Sequence, residues 1–286
     1  MHSGGNMINI DFLEYLIVYA ESENLSKASR TLHISQSALS RAMQKVEDYV
    51  GVPIFTRTKN KLSLNETGKE LIKNAYLVIE AERLMKERTI TFHNKSTNIS
   101  IGAVAPGPMI KYGNLLYSIF PNKNIVSKIE DKNTLIEKLK NGIYDCIFTD
   151  CEVKDDDLIS QFAYTENLYI TIPKTHFLAG LKRGVTFSEI DGQSFLVSNN
   201  LGIWDEIIAK NLPKSKFFPQ AMDNLYEIIN ASTIPNFSTN ITIPLRTELE
   251  RISLPILDRD ATVNFYISYK KEGKNKLKKL IKMIER

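Results

Sequence analysis

The sequence predicts a small, mostly helical N-terminal unit, a long connecting helix and a larger C-terminal region of α/β type. Three observations carry that prediction. Leu39, Ala42, Met43 and Val46 recur at i, i+3, i+4 and i+7, the apolar stripe of an amphipathic helix. A second helical pattern runs unbroken from Asn65 to about Thr91. Beyond residue 98 short apolar strands alternate with helical segments, the pattern of βαβ units and a mostly parallel sheet.

The first element is an apolar segment from Phe12 to Ala20, in which Phe12, Leu13, Leu16 and Ile17 provide a packing face. A second helix follows, capped by Asn24 or Ser26, with Leu25, Ala28 and Leu32 turned inward. Leu32-His33-Ile34 makes a tight turn, with Ile34 wedged between helices, and Ser35 caps the third helix. Rotation by 100° per residue puts Ser37, Ser40, Arg41 and Gln44 opposite the apolar stripe, with Gln36 at the exposed N-terminal edge. Arg can bond two acceptors of guanine, Gln can pair with adenine, and Ser can contact bases or backbone. Three helices around one core, the last with such a face, make a helix-turn-helix suited to a DNA major groove.

A wing is expected next. Gly51 ends the third helix, Val52-Pro53-Ile54-Phe55 and Lys61-Leu62-Ser63-Leu64 extend, and Thr56 to Asn60 form a basic tip with Arg57 and Lys59. From Ser26 to Lys61 the cations are Lys27, Arg30, Arg41, Lys45, Arg57, Lys59 and Lys61, against Glu47 and Asp48 alone. That local excess is the footprint expected on phosphate, with Lys27, Arg57, Lys59 and Lys61 as the anchors.

The connecting helix shows Leu71, Ile72, Ala75, Val78, Ile79, Glu82 and Met85 along one face. At ~1.5 Å per residue its ~26 residues span roughly 39 Å, too long for one small unit to cover. His93 to Asn98 is polar and lacks periodicity, which marks a hinge. Strands are then expected at Ile99–Val104, Ile125–Glu130, Asp145–Thr149, Leu168–Ile172, Phe195–Ser198, Asn240–Ile243 and Asn264–Tyr269. Helices fit Met109–Phe120, Leu135–Lys140, Ile203–Asn211 and Asn224–Asn230. In open α/β sheets, ligands bind beyond the carboxyl ends of strands, near helix N-termini. The candidate lining is Ala105, Pro106 and Gly107, then Thr149 and Asp150, then Ser198, Asn199 and Asn200, with Trp204 following on its helix.

The N-terminal motif resembles the LysR-type transcriptional regulators. The matching residues are Phe12, Ala28-Ser29, Leu32 to Arg41, Val46-Glu47, Gly51 to Phe55, Arg57, and Leu64-Asn65-Glu66-Thr67-Gly68. The resemblance implies a winged helix-turn-helix at residues 7–65, a linker and dimerisation helix at 66–92, a hinge at 93–98 and an effector-binding domain at 99–286. That domain would be two-lobed and similar to periplasmic binding proteins, with lobe I at about 99–172 and 256–286 and lobe II at about 173–255. The implied function is sequence-specific binding of double-stranded DNA, modulated by a small-molecule effector. The implied partners are a second copy, a tetramer as the larger assembly, and RNA polymerase. The chain departs from the family at Val104, Ala105 and Pro106, where relatives carry Ser or Thr that hold a carboxylate. A glycine-rich segment of relatives stands here as Ala231 to Phe237. The first departure weakens the case for an organic-acid effector, and with the second it leaves either a more apolar cleft or one that binds nothing.

At 286 residues the chain can hold two or three cores, and 43% hydrophobic with 24% charged residues is ordinary for a globular protein. The net charge of +4 is compatible with nucleic acid without pointing to it. The basic run from Lys270 to Arg286 carries Leu277, Leu280, Ile281 and Ile284 at helical spacing and reads as a terminal amphipathic helix with a solvated Lys face. No segment reads as a secretion signal or reaches the ~20 apolar residues of a membrane span, which places the chain in the cytoplasm. Cys146 and Cys151 are then expected as reduced thiols. The four histidines, His2, His33, His93 and His176, have no metal-binding spacing, and no P-loop or GxGxxG occurs, so neither an enzyme nor a cofactor or metal site is expected. The competing reading is a cytoplasmic solute-binding or sequestering module whose N-terminal helices mediate protein contacts.

Overall fold

In the computed structural model, residues 8–22, 24–58, 61–94, 96–245 and 250–285 are described. They divide into two units, Met1–Ile90 and Thr91–Arg286.

In the first unit, α1 (Ile10–Ser22), α2 (Leu25–Thr31) and α3 (Gln36–Val50) enclose a core of Leu13, Leu16, Ile17, Ala28, Leu39, Met43 and Val46. Asn24 caps α2 by accepting from the Lys27 N–H at 3.0 Å, and Ser35 caps α3 by accepting from Ala38 N–H at 3.1 Å. Between them His33 takes φ 54, a left-handed conformation that lets two helices meet within a few residues. Gly51 at φ 75 closes α3, its N–H donating to the Glu47 carbonyl.

The wing is a two-stranded antiparallel pair, β1 (Phe55–Thr58) and β2 (Lys61–Leu64), with Phe55 opposite Leu64 and Thr58 opposite Lys61. The expected tip therefore shortens, because Thr56 to Thr58 belong to the ladder. Helix α4 (Glu66–Asn94) follows, capped by Asn65, whose Oδ1 accepts from Gly68 N–H at 2.8 Å. Asn65 Nδ2 donates to the Pro53 carbonyl at 2.9 Å, and a β-carbon at Gly68 would fall on the Ile54 carbonyl, so the start of α4 is seated against the wing. At 29 residues α4 is about 44 Å long. Ala75 is buried and Leu71, Ile72 and Ile79 pack on the unit's core, while Leu77, Val78, Met85 and Ile90 stand exposed.

The second unit is a nine-stranded sheet with helices around it. Its strands are β3 (Asn98–Ala103), β4 (Asn124–Ile129), β5 (Cys146–Thr149), β6 (Leu158–Pro173), β7 (Ser194–Ser198), β8 (Lys216–Gln220), β9 (Asn236–Thr239), β10 (Arg251–Pro255) and β11 (Thr262–Lys270). The order is β4-β3-β5-β11-β6-β9-β7-β8, with β10 also paired to β6. The expected mostly parallel sheet is in fact mixed. β3 is parallel to β4 and β5, and β7 to β8 and β9, but β11 and β6 run antiparallel to their neighbours. The long strand β6 accounts for this: residues up to Asn167 pair with β11, and residues from Leu168 pair with β9 and β10, so one strand serves both halves. Helices α5 (Gly107–Ile119), α6 (Lys132–Lys140), α7 (Phe187–Ile190), α8 (Ile203–Asn211), α9 (Met222–Ala231) and α10 (Lys274–Ile284) flank the sheet. Leu277, Leu280 and Ile281 bury one face of α10, as its periodicity predicts.

The strand expected at Asn240–Ile243 lies four residues earlier, in β9. Asn240 Oδ1 accepts from Asn167 N–H at 2.9 Å and Thr242 Oγ1 from Thr239 N–H at 2.8 Å, and these side-chain bonds turn the chain where a ladder would continue it. Strands β8 and β10 were not anticipated. Pro219 makes the first unattractive as a strand, yet β8 lies at the sheet edge and pairs only with β7, where a missing N–H is tolerated. Among the described residues no helix is long and apolar enough to cross a membrane.

Candidate nucleic-acid interface and small-molecule cleft

Helix α3 buries Leu39, Ala42, Met43 and Val46 and leaves Gln36, Ser37, Ser40, Arg41 and Gln44 exposed. A 15-residue helix with one apolar stripe can present only one polar face outward, and these five residues are on it. Ser37 Oγ lies 3.0 Å from the capping Ser35 Oγ. Gln44 Nε2 donates to Asp48 Oδ1 at 2.8 Å, which holds its amide along the helix. Lys27, Arg41 and Lys45 are exposed and enter no ion pair among the described residues, and Lys45 Nζ sits 5.3 Å from the Phe12 ring centroid. Arg57 and Lys61 fall on the two wing strands, whereas Lys59 lies outside the described residues.

Glu47 has a role that counting charges missed. Its Oε1 accepts from Ile54 N–H at 2.9 Å and Phe55 N–H at 3.2 Å, so it fixes the entry to the wing and its charge is spent on backbone donors. The Tyr19 hydroxyl donates to the Leu62 carbonyl and ties the second wing strand to α1. Helix face and wing are thereby held as one surface.

In the second unit a pocket of about 80 Å³ opens between the two halves of the sheet. Pro106, Gly107, Ser198 and Trp204, four of the expected residues, line it together. The other five do not join them. Asn200 lines an adjoining hollow with Pro106, Ala105 and Thr149 are fully buried, and Asn199 is exposed with its N–H on the Gln220 carbonyl at 2.9 Å. Thr149 donates its hydroxyl to the Cys151 carbonyl at 2.8 Å, and Asp150 pairs with Lys132 at 3.6 Å in a separate hollow. Helix α8 divides these spaces: Trp204 and Ile208 face the pocket, while Ile203, Ile207 and Lys210 on its other side face the hollow of Asp150.

The sequence reading missed Glu166 and Asn236, two further pocket residues, 2% and 1% exposed. Glu166 had a legible signal, for Tyr164, Glu166, Leu168, Ile170 and Ile172 alternate along β6 on its buried face. Burial pushes the Glu166 carboxyl above the usual carboxylate range, while bonds to Thr239 and Tyr164 and the charge of Lys111 pull the other way. Tyr164 donates to Glu166 Oε2 at 3.1 Å and stacks on Phe265 at 5.0 Å, and burial raises its phenol. Tyr112, edge-on to Tyr164, is raised by burial to about 12. Cys146 is buried in β5, and burial pushes its thiol up. Cys151 Sγ lies 3.4 Å from Lys132 Nζ. No group of three or more acidic, His or Cys side chains positioned to hold a metal occurs among the described residues.

Comparison with known proteins agrees with this architecture. Residues 10–69 match the profile described as a bacterial regulatory helix-turn-helix protein of the lysR family, and residues 116–228 match the LysR substrate binding domain. An uncharacterised HTH-type transcriptional regulator of Bacillus subtilis, YybE, is 27% identical over 191 residues, covering 65% of this chain and 64% of that protein. The Hca operon transcriptional activator HcaR of Escherichia coli is 26% identical, covering 64% and 63%. The dual regulator OxyR of the same organism is 25% identical, covering 66% and 63%. The matched region thus spans just under two thirds of each relative. Among solved structures, a full-length OxyR variant of Pseudomonas aeruginosa matches with a TM-score of 0.53 at 17% identity, covering 97% of this chain and all of that one. Full-length BenM matches at 0.50 and 18%, covering 96% of each. These structures share the fold.

Proposed function

Because the chain belongs to the LysR family of bacterial regulatory helix-turn-helix proteins, we propose that it is a cytoplasmic, sequence-specific transcription regulator of double-stranded DNA, modulated by a small molecule in its C-terminal cleft. One observation supports this most: α3 turns Gln36, Ser37, Ser40 and Arg41 outward over a locked apolar stripe, beside cations that enter no ion pair among the described residues. Arg41 and Gln36 read base edges, the serines contact bases or phosphate, and Lys27, Arg57, Lys59 and Lys61 hold the backbone. Gln44, engaged by Asp48, contributes at the end of the face.

Two copies pair through the apolar residues of 66–92, among them Leu77, Val78 and Met85, which one chain leaves exposed. Pairing sets two recognition helices on two half-sites, and a dimer of dimers spans longer operators. The small molecule acts by biasing the arrangement of those pairs on DNA, and so the recruitment of RNA polymerase. The reading assigns the protein no catalysis.

Footprinting on the DNA flanking its own coding region tests the proposal. Protection of a site with two half-sites about one helical turn apart, resistant to excess random DNA, is the expected result. Equal competition by random DNA would favour the solute-binding module instead.

A further inference from the structure

Two buried polar atoms of the cleft residues have no hydrogen-bond partner among the described residues: Trp204 Nε1 and Asn236 Oδ1. Their side chains are 3% and 1% exposed, and both line the pocket. Asn236 Nδ2 donates to the Phe237 carbonyl at 3.0 Å, which leaves Oδ1 as the free end of the amide. Two residues of these largely apolar walls therefore carry one unmet donor and one unmet acceptor, an arrangement that native interiors rarely tolerate without a partner.

The same pocket is poorly equipped for an anion. Two helices begin beside it, and both N-termini are taken. At α5, Pro108 has no N–H to offer, and a β-carbon at Gly107 would fall on Glu166 Oε2, so the chain's own carboxyl covers that end. At α8, Ile203 N–H donates to the Val104 carbonyl at 2.8 Å, and Asp205 Oδ2 accepts from Leu201 N–H at 2.9 Å. The nearby cation, Lys111, lies over the Tyr164 and Tyr112 rings at 5.2 and 5.6 Å. A carboxylate entering here would meet Glu166 and no free helix end.

We infer that the cleft takes a small uncharged carboxamide-type molecule, its carbonyl accepting from Trp204 Nε1 and its N–H donating to Asn236 Oδ1, and that Glu166 excludes organic acids. The inference deepens the effector reading above and rests on it only for the consequence at DNA. At about 80 Å³ the pocket is smaller than the ~150 Å³ cavity that accepts benzene, so the apolar body of the ligand is a few carbons.

Trp204 is the only tryptophan of the chain, so indole emission reports this pocket alone. The full chain is titrated with isobutyramide, isobutyrate and isobutyramidine, which share a skeleton and differ in charge. Isobutyramide is expected to change the emission saturably in the millimolar range, binding about tenfold tighter than either ion. Glu166→Gln is expected to keep the amide and to gain about tenfold for isobutyrate. The inference falls if either ion binds the parent as tightly as the amide, or if none of the three gives a saturable change. Should Glu166→Gln fail to fold, the parent's ranking decides alone. Footprinting of the same preparation without ligand separates the two readings. Intact operator protection with no amide response sinks the pocket and spares the regulator, whereas an amide response without protection does the reverse.

Discussion

The polar face of α3 and the cleft of the second unit are both sets of hydrogen-bonding side chains on an apolar support, but they are built in opposite ways. On α3, Gln36, Ser37, Ser40, Arg41 and Gln44 fall within nine consecutive residues, are exposed and are placed by one helix. In the cleft, Glu166, Ser198, Trp204 and Asn236 come from four separate segments, and all are buried. The difference teaches where specificity resides: a surface face waits for a partner that brings its own polar groups, while a buried site must already contain the complement of what it admits.

The comparison can be broken most severely at the support. Leu39→Ala removes a side chain that is fully buried beneath the face and should destabilise the N-terminal unit by about 2–5 kcal/mol. Calorimetry should show only one of two transitions falling; a shift in both would mean the units do not unfold separately. Next in size is Arg41→Ala, expected to cost about 1–3 kcal/mol in operator binding and to relax preference at one base pair. Gel shifts on operator variants measure it, and unchanged selectivity would remove Arg41 from the reading set. Capping follows, with Ser35→Ala costing about 1 kcal/mol of stability by leaving Ala38 N–H without its partner.

The cleft answers to pH through Glu166. Because burial raises the Glu166 carboxyl, the native state holds that proton more tightly than the unfolded chain does. The resulting stabilisation is whole below the unfolded value near 4.5 and is lost as pH rises through the raised native one. Glu166→Gln cannot titrate, so it should lift the melting temperature of the second unit by roughly 2–4 °C at pH 8 and by less at pH 5. An equal shift at both pH values would show that folding does not strengthen the carboxyl's hold on its proton. The smallest effect is expected from Lys27→Ala, an exposed cation: weaker binding across all sequences and a salt slope reduced by about 1.

What was legible in the sequence follows the same division. The stripe Leu39, Ala42, Met43 and Val46 fixes a helix and hence its opposite face, because both lie within one stretch of 3.6-residue periodicity. Helix α8 was legible to the residue for the same reason. The cleft was legible where a strand end meets a helix start, as at Pro106, Gly107 and Ser198, and at Trp204 on the helix that follows. Asn236 reaches it through the pairing of β9 with β6 and β7, and no local pattern encodes which strands become neighbours; the alternation along β6 marks Glu166 as buried without saying what it faces. Asp150 was misplaced for the complementary reason: its strand ends on the far side of α8, a fact of tertiary packing. Glu47 looked like a lone charge against the basic surface until the wing's amides were seen to use it.

The 16-residue strand β6 has one more consequence. It threads the two halves of the second unit as a single unbroken ribbon, and the only other passage between them runs through Pro255 to Thr262, where Ile256 N–H is pinned to the Leu168 carbonyl at 3.1 Å. The two crossings therefore lie side by side. A guest that changed the gap between the halves would therefore have to twist that ribbon near Asn167, and its arrival would load the chain as torque.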